Sequence, residues 1–129
     1  MDIPSDMKFT KEHEWVSLDG DIATIGITDY AQGELGDIVY VELPAAEREV
    51  KQGESFITIE SVKAVSDIYA PVSGKLVEVN PKLEEQPELL NESPHDRGWL
   101  AIIEMSDPEE LEKLMSAADY EKLLEKGEG

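Results

Sequence analysis

The stretch FITIESVKAVSDIYAPVSG, residues 56–74, places Lys63 between two segments with the composition of β-strands. The reversal around SVKA contains no Gly, Pro, Asn or Asp, the residues that usually form tight turns. A lysine side chain is a primary amine on a flexible stem, so an amide bond to a carboxylic acid cofactor would create a long arm without disturbing the fold. Lys63 is therefore either an ordinary solvated lysine or a covalent attachment point.

An attachment lysine needs exposure, a rigid hairpin to present it, and slim neighbours that a modifying enzyme can grip. The side chains next to Lys63 meet the last condition: Ser61, Val62, Ala64 and Val65. On this interpretation the turn lacks glycine because its tip must keep a stiff shape for recognition.

The charge balance of the chain excludes several classes of partner. The 129 residues include 11 Lys and Arg against 30 Asp and Glu, a formal net charge of −19. Such a chain repels phosphates and anionic membrane surfaces, so we expect no nucleic acid and no membrane partner. The same charge would steer basic partners towards the protein and keep it a soluble monomer.

No other group of residues supports a catalytic site. Cysteine is absent from the sequence, which excludes disulfides, thiolate nucleophiles and thiolate metal sites. His13 and His95 each lack a second histidine at metal-ligand spacing, so we expect no metal. Gly33 and Gly36 form a lone G-x-x-G, which we interpret as turn glycines between two strands.

Four β-like segments each begin just after a glycine, at Gly20, Gly36, Gly53 and Gly74. Their Val, Ile, Tyr and Phe content and partial period-2 alternation predict strands bounded by turns. Asp19 next to Gly20 adds a hairpin signal. The spacing of these segments predicts an all-β sandwich or barrel.

The last quarter of the chain changes to a helical pattern. Asp107, Pro108 and Glu110 predict an N-cap, a first-turn proline and the acid of a capping box. Ser116 can cap a second short helix in which Tyr120 and the leucines after it share one face. The expected architecture is a β core with helices at its C-terminal end.

A chain of 129 residues is long enough for one continuous core but too short for a large two-domain enzyme. We expect a single domain over residues 1–129, with a β core at about 8–105 and a helical segment at about 107–126. The sequence shows no transmembrane run, secretory signal or Arg-rich transit peptide. We therefore expect a cytoplasmic protein, or a mitochondrial matrix protein if this is a mature eukaryotic chain.

Longer motifs around Lys63 resemble those of a known family. The stretch ESVKA, followed by SD and APVSG, is similar to a lipoylation signature, and it occurs together with HEWV, GITDYAQ, PELLN, GWL and LMSAADYEKLL. In this combination the chain resembles the H proteins of the glycine cleavage system over nearly its whole length. The resemblance implies a mainly all-β, lipoyl/biotinyl-like fold, a flattened barrel-sandwich hybrid of two antiparallel sheets with short C-terminal helices.

The resemblance also implies a carrier without catalytic residues of its own, in which Lys63 holds lipoic acid through an amide bond. A pyridoxal-phosphate glycine decarboxylase would pass the aminomethyl group of decarboxylated glycine to the lipoyl disulfide. An aminomethyltransferase would give the one-carbon unit to tetrahydrofolate, and a flavin-containing dihydrolipoyl dehydrogenase would reoxidise the dithiol with NAD. Lipoate-attaching enzymes would be further partners.

Individual residues carry over from the family motif to this sequence. A cleft that holds the carried amine is implied, with Glu14 and Asp67 at the matching positions. Glu12 departs from the family pattern, in which a small hydroxyl residue is frequent, so we expect a more acidic or differently shaped cleft. The alternative interpretation of Glu14 is an exposed acid beside a core-packed Trp15. The residues that match the recognition context of the attachment lysine are Glu60, Ser61, Val62, Ala64, Ser66 and Asp67.

Two other functions stay open. The first is a lipoyl or biotinyl domain of another multienzyme complex. Biotin domains usually place the lysine between methionines, and 2-oxo acid dehydrogenase lipoyl domains usually have an acid before it, whereas Val62 and Ala64 flank Lys63 here. The second is an H-like lipoylated protein for lipoate delivery or redox regulation. The match at both ends of the chain favours the ordinary carrier over this alternative.

Overall fold

The computed structural model describes residues 3–126, and these residues form nine strands, four α-helices and one 3-10 helix. No helix within this range is long and apolar enough to cross a bilayer. The strands are β1 (Lys8–Phe9), β2 (Glu14–Asp19), β3 (Ile22–Ile27), β4 (Ile38–Glu42), β5 (Glu49–Val50), β6 (Ser55–Ser61), β7 (Val65–Tyr69), β8 (Gly74–Val79) and β9 (Ala101–Met105). The helices are α1 (Asp29–Leu35), α2 (Lys82–Glu85), α3 (Leu89–Glu92), the 3-10 helix Pro108–Lys113 and α4 (Ala117–Glu125).

The strands form two antiparallel sheets around one core. The larger sheet has the strand order β1-β2-β3-β9-β8-β5, the smaller one has the order β4-β6-β7, and neither closes into a barrel. Ile25 and Ile103 of the larger sheet belong to the same buried cluster as Ile59 and Ile68 of the smaller sheet. The expected sandwich of two antiparallel sheets with short C-terminal helices is therefore confirmed.

A second apolar cluster joins the C-terminal helix to the larger sheet. Tyr120 of α4 is buried and stacks on Phe9 of β1, with ring centroids 4.7 Å apart. Trp15 of β2 belongs to this cluster and donates a hydrogen bond from Nε1 to the Pro94 carbonyl at 2.8 Å. As predicted, Ser116 caps α4, accepting a hydrogen bond from the N–H three residues later.

The prediction for Gly33 and Gly36 is wrong for the first of them. Gly33 lies inside α1, and only Gly36, with a φ of 79°, ends the helix. The helix begins because the Thr28 hydroxyl accepts a hydrogen bond from the Ala31 N–H at 3.2 Å. Two glycines at this spacing usually indicate a loop, so the sequence interpretation missed the cap and the short helix.

The predicted capping box at the start of the 3-10 helix is also wrong. Asp107 caps this helix as expected, with its carboxylate accepting the Glu109 N–H at 3.2 Å. The Glu110 carboxylate instead accepts hydrogen bonds from the Ser73 N–H at 2.6 Å and the Ser73 hydroxyl at 2.7 Å. Tertiary packing gives Glu110 two donors on a loop, and these replace the single local donor of a capping box.

The contact between Trp15 and Gly26 predicts a sharp difference between two glycine positions. The two residues pair across β2 and β3, and a Cβ at Gly26 would overlap the indole ring. Gly26→Ala should therefore lower the free energy of unfolding by about 1–3 kcal/mol or more, as overpacking does. Gly33→Ala is the control, because a Cβ there meets open space inside a helix and should stabilise the protein by about 0.5–1 kcal/mol. If urea unfolding showed that both variants lose stability, or that both gain it, the result would contradict this packing.

Candidate functional site

The tip of the β6–β7 hairpin is built from a serine-based turn. The Ser61 N–H donates to the Ala64 carbonyl at 2.8 Å, which closes the reversal. The Ser61 hydroxyl oxygen accepts hydrogen bonds from the Lys63 N–H at 3.3 Å and the Ala64 N–H at 3.1 Å. Serine forms such local bonds readily, so it supplies the turn chemistry that glycine and proline supply elsewhere.

A second contact fixes the tip to the neighbouring part of the chain. The Val62 N–H donates to the Asp37 carbonyl at 3.0 Å, just before β4 begins. The stem of Lys63 passes over Gly36, where an added Cβ would lie 3.5 Å from the lysine Cε. The tip is therefore held both by its own turn and by the segment that joins α1 to β4.

Lys63 itself is exposed and available. Its ammonium forms no ion pair or hydrogen bond with any residue in the part of the chain that the structure describes. Val62 and Val65 beside it have 69% and 68% of their surface exposed, which is unusual for valine and leaves the tip open on both sides. A primary amine at this position can be reached by another protein without any change in the fold.

The residues of the predicted recognition context divide between the two faces of the smaller sheet. Glu60 pairs with Val65, and Asp67 pairs with Thr58, so these side chains share the outward face. Ser66 pairs with the buried Ile59 and faces the inside of the sandwich. Ser61, Val62 and Ala64 form the tip itself. The structure thus places all six residues within one hairpin.

Glu14 is buried in the wall of a cavity, so the alternative interpretation of an exposed acid is wrong. Only 1% of its surface is exposed. Its carboxylate accepts hydrogen bonds from the Tyr69 N–H at 2.9 Å and the Thr10 hydroxyl at 2.8 Å. Burial raises the pKa of Glu14 to about 7, a rise that the two hydrogen bonds oppose and the nearby Glu12 strengthens.

Two cavities open beside the hairpin and share a wall. One, of about 250 Å³, is lined by the acids Glu12 and Glu14, the lysines Lys11 and Lys113, and Tyr69, together with apolar side chains near α4. The other, of about 200 Å³, lies between α1 and β7 and contains Ser66. Glu12 lines both, so the cavities are neighbours. We call these two cavities together the cleft; Ser66 lines one of them and the buried carboxylate of Glu14 lines the other.

A hydrogen-bonded chain fixes the histidine in this cleft. His13, in the wall of the smaller cavity, contacts the Tyr120 hydroxyl through Nδ1 at 2.8 Å, and this hydroxyl contacts Thr28 Oγ1 at 2.7 Å. Thr28 Oγ1 also accepts the Ala31 N–H, so the Tyr120 hydroxyl joins the threonine that caps α1 to the histidine of the smaller cavity. Burial lowers the pKa of His13, and the nearby Glu12 and Glu34 restore it only in part, so the neutral form of this histidine is favoured.

The structure does not bring Glu14 and Asp67 to one point. Asp67 is exposed on the outward face of β7, where its carboxylate accepts a weak hydrogen bond from the Thr58 hydroxyl at 3.4 Å. Within residues 3–126 no cluster of His, Asp and Glu could hold a metal ion. Sequence reasoning missed the α1 side of the cleft, where the Tyr30 hydroxyl donates to Glu34 at 3.1 Å. Their separation by one helical turn would have indicated this contact if the helix had been recognised.

The buried carboxyl of Glu14 predicts a specific pH dependence of stability. Its pKa in the folded protein, about 7, is above the unfolded value of 4.5, so the folded state keeps a proton that the unfolded chain loses. The contribution of Glu14 to stability therefore falls as the pH rises from about 4.5 to about 7 and is constant above that. Glu14→Gln keeps an acceptor for the Tyr69 N–H but cannot ionise. Between pH 5 and pH 8, the free energy of unfolding of this variant, measured with urea, should rise by up to about 3 kcal/mol relative to that of wild type. A constant difference between the two proteins would contradict the prediction.

Known proteins share both the sequence and the fold of this chain. Residues 7–127 match the family model for the glycine cleavage H-protein. The chain is 54% identical over 124 residues to the glycine cleavage system H protein of Staphylococcus saprophyticus, covering 96% of this chain and 98% of the relative. It is 55% identical over 123 residues to that of Carboxydothermus hydrogenoformans, covering 95% of each.

A solved structure gives the same result at lower sequence identity. The crystal structure of a glycine cleavage system H protein from Mycobacterium marinum superposes with a TM-score of 0.86 at 36% identity, covering 97% of this chain and 99% of that one. The expected resemblance is confirmed by sequence and by fold. This chain belongs to the glycine cleavage H-protein family.

Proposed function

We propose that this chain is the lipoyl carrier of the glycine cleavage system and that Lys63 is its attachment residue. The observation that carries the proposal is an exposed lysine, without a partner among residues 3–126, on a hydrogen-bonded tip beside a cleft that contains the buried carboxylate of Glu14. The residues present fit a lipoyl group, because the amine is free to form an amide and the adjacent cleft offers apolar walls that include Ile68 and Leu35. When bound, the group supplies a disulfide that is reduced as it accepts an aminomethyl group.

Glu14 would hold the amine of the carried group. A protonated amine binds well to a carboxylate in a partly dry cleft, and its positive charge would keep Glu14 ionised. Tyr69, whose N–H binds Glu14, is four residues after Val65 in β7, which corresponds to roughly 13 Å along a strand. A lysine stem extended by an octanoyl chain has a comparable reach. The cleft residues thus retain the cargo and exclude water from it, which protects it from hydrolysis.

Asp67 would meet the carried amine only if the arm crossed the outward face of the hairpin. We therefore propose two carboxylates for two routes, Glu14 for an arm inside the cleft and Asp67 for an arm on the sheet surface. The burial of Glu14 favours the first route, since a buried carboxylate with only neutral donors gains most from a cation. Glu12, which lines both cavities, would add negative charge along the inner route.

The partners follow from the carrier role. We propose a glycine decarboxylase, an aminomethyltransferase and a dihydrolipoyl dehydrogenase as the successive partners, with lipoate-attaching enzymes acting on Lys63 before them. The redox and one-carbon chemistry belongs to cofactors of these enzymes, and this chain contributes position and reach. The relatives named above are bacterial proteins, and we propose the cytoplasm as the compartment.

Lipoylation of Lys63 is the direct test of the proposed function. Protein made in cells that lipoylate other substrates should show the mass increment of one lipoyl group, mapped by peptide analysis to Lys63. Lys63→Arg should lose the increment completely, because a guanidinium does not form the amide. Lys75→Arg, at another exposed lysine in β8, is the control and should keep it. An unmodified wild type from cells whose other lipoyl proteins are fully loaded would contradict the proposal and favour a divergent H-like role.

A further inference from the structure

The PELLN motif has no role in the proposed function, yet its asparagine contacts the support of the lysine hairpin. Asn91, in α3, is half-buried, and its Oδ1 accepts a hydrogen bond from the Ile38 N–H at 2.9 Å. Its Nδ2 donates to the Gly36 carbonyl at 2.8 Å and to Gln32 Oε1 at 3.0 Å. One side-chain amide therefore holds both ends of the segment 36–38.

The segment that Asn91 holds is the one that supports the hairpin tip. Its middle residue, Asp37, accepts the Val62 N–H through its carbonyl at 3.0 Å. Its first residue, Gly36, lies under the stem of Lys63. Both contacts depend on the position of segment 36–38, so they are fixed only if this segment is fixed. The amide of Asn91 is thus connected to the attachment lysine through the peptide units that it binds.

We propose that Asn91 is a positioning residue that presents Lys63 to the lipoate-attaching enzyme. This inference rests on the proposed function, because it requires Lys63 to be the modified residue. A tip that is ordered in advance loses less conformational entropy when the enzyme binds it. The effect of Asn91 therefore belongs to KM for the carrier, whereas the acyl-transfer step itself is unchanged.

Two isosteric variants separate positioning from general stability. Asn91→Asp keeps the acceptor for Ile38 but places an oxygen opposite two acceptors, the Gly36 carbonyl and Gln32 Oε1. Asn80→Asp makes the same chemical change elsewhere. The Asn80 Oδ1 accepts the Lys82 N–H at 3.2 Å, and its Nδ2 donates at 2.9 Å to the carbonyls of Arg97 and Trp99, none of which belongs to the hairpin or its support.

The experiment measures lipoylation kinetics and amide exchange in the full chain. A lipoate–protein ligase supplied with lipoate and ATP modifies each variant, and intact mass gives the rate at several carrier concentrations. We expect Asn91→Asp to raise KM roughly tenfold with kcat within about twofold of wild type. Hydrogen exchange of the Val62 N–H should accelerate in the same variant. Asn80→Asp should leave both KM and the Val62 exchange rate close to wild type.

Equal KM values for Asn91→Asp and wild type, or equal increases in both variants, would overturn the inference. If Asn91→Asp does not fold, exchange in the wild-type protein still decides the question. The Val62 N–H should then be protected to a similar degree as the Ile38 N–H, and an unprotected Val62 N–H would overturn the inference. A wild-type protein that takes up no lipoyl group would instead remove the proposed function itself.

Discussion

The hydrogen bonds at the tip of the β6–β7 hairpin are the constraint on which the remaining features of the site depend. A modification site must be exposed, but an exposed loop is normally mobile, and mobility weakens recognition. The Ser61 hydroxyl accepts hydrogen bonds from the Lys63 and Ala64 N–H groups, and the Asp37 carbonyl accepts one from the Val62 N–H. Lys63 is therefore fixed in its backbone and free in its side chain.

The cleft beside the hairpin shows a local conflict between stability and function. Burial of Glu14 raises its pKa to about 7, so the surroundings of this residue destabilise its charged form. Thr10 and Tyr69 supply hydrogen bonds, but neither supplies a positive charge. Lys11 and Lys113 line the same cavity without forming an ion pair with Glu14, so a cationic cargo could bind this carboxylate directly. The unfavourable burial of Glu14 is thus explained by the ligand that the cleft is proposed to receive.

The C-terminal helix extends this site beyond the two sheets. Tyr120 of α4 is buried, and its ring stacks on Phe9. Its hydroxyl contacts His13 in the cleft and Thr28 at the start of α1. Burial raises the pKa of Tyr120 to about 12, so the hydroxyl keeps its proton and stays a donor. The helical periodicity predicted a packed Tyr120, but a 107-residue separation from His13 could not be read from local pattern.

Local patterns were sufficient for strands β3, β4, β6, β7 and β8 and for the caps at Asp107 and Ser116, because periodicity and capping are local. The arrangement in two antiparallel sheets was expected from the family resemblance. Helix α1 was missed because its two glycines resemble loop residues, and the partner of Glu110 was missed because a tertiary contact replaces the local one. The burial of Glu14 was left open, because alternation along β2 does not reveal which cavity a side chain faces. Asn91 was assigned no chemistry, since its three partners lie 53 to 59 residues away in the chain.

The lifetime of the carried group on the lipoylated protein tests the central claim most directly. Wild type, Glu14→Gln and Asp67→Asn would be loaded identically and the release of the one-carbon unit followed over time. An inner cleft predicts that Glu14→Gln shortens the half-life roughly tenfold or more, as expected for loss of a charge-assisted hydrogen bond, while Asp67→Asn stays near wild type. A Glu14→Gln protein that protects the cargo as long as wild type would contradict the account.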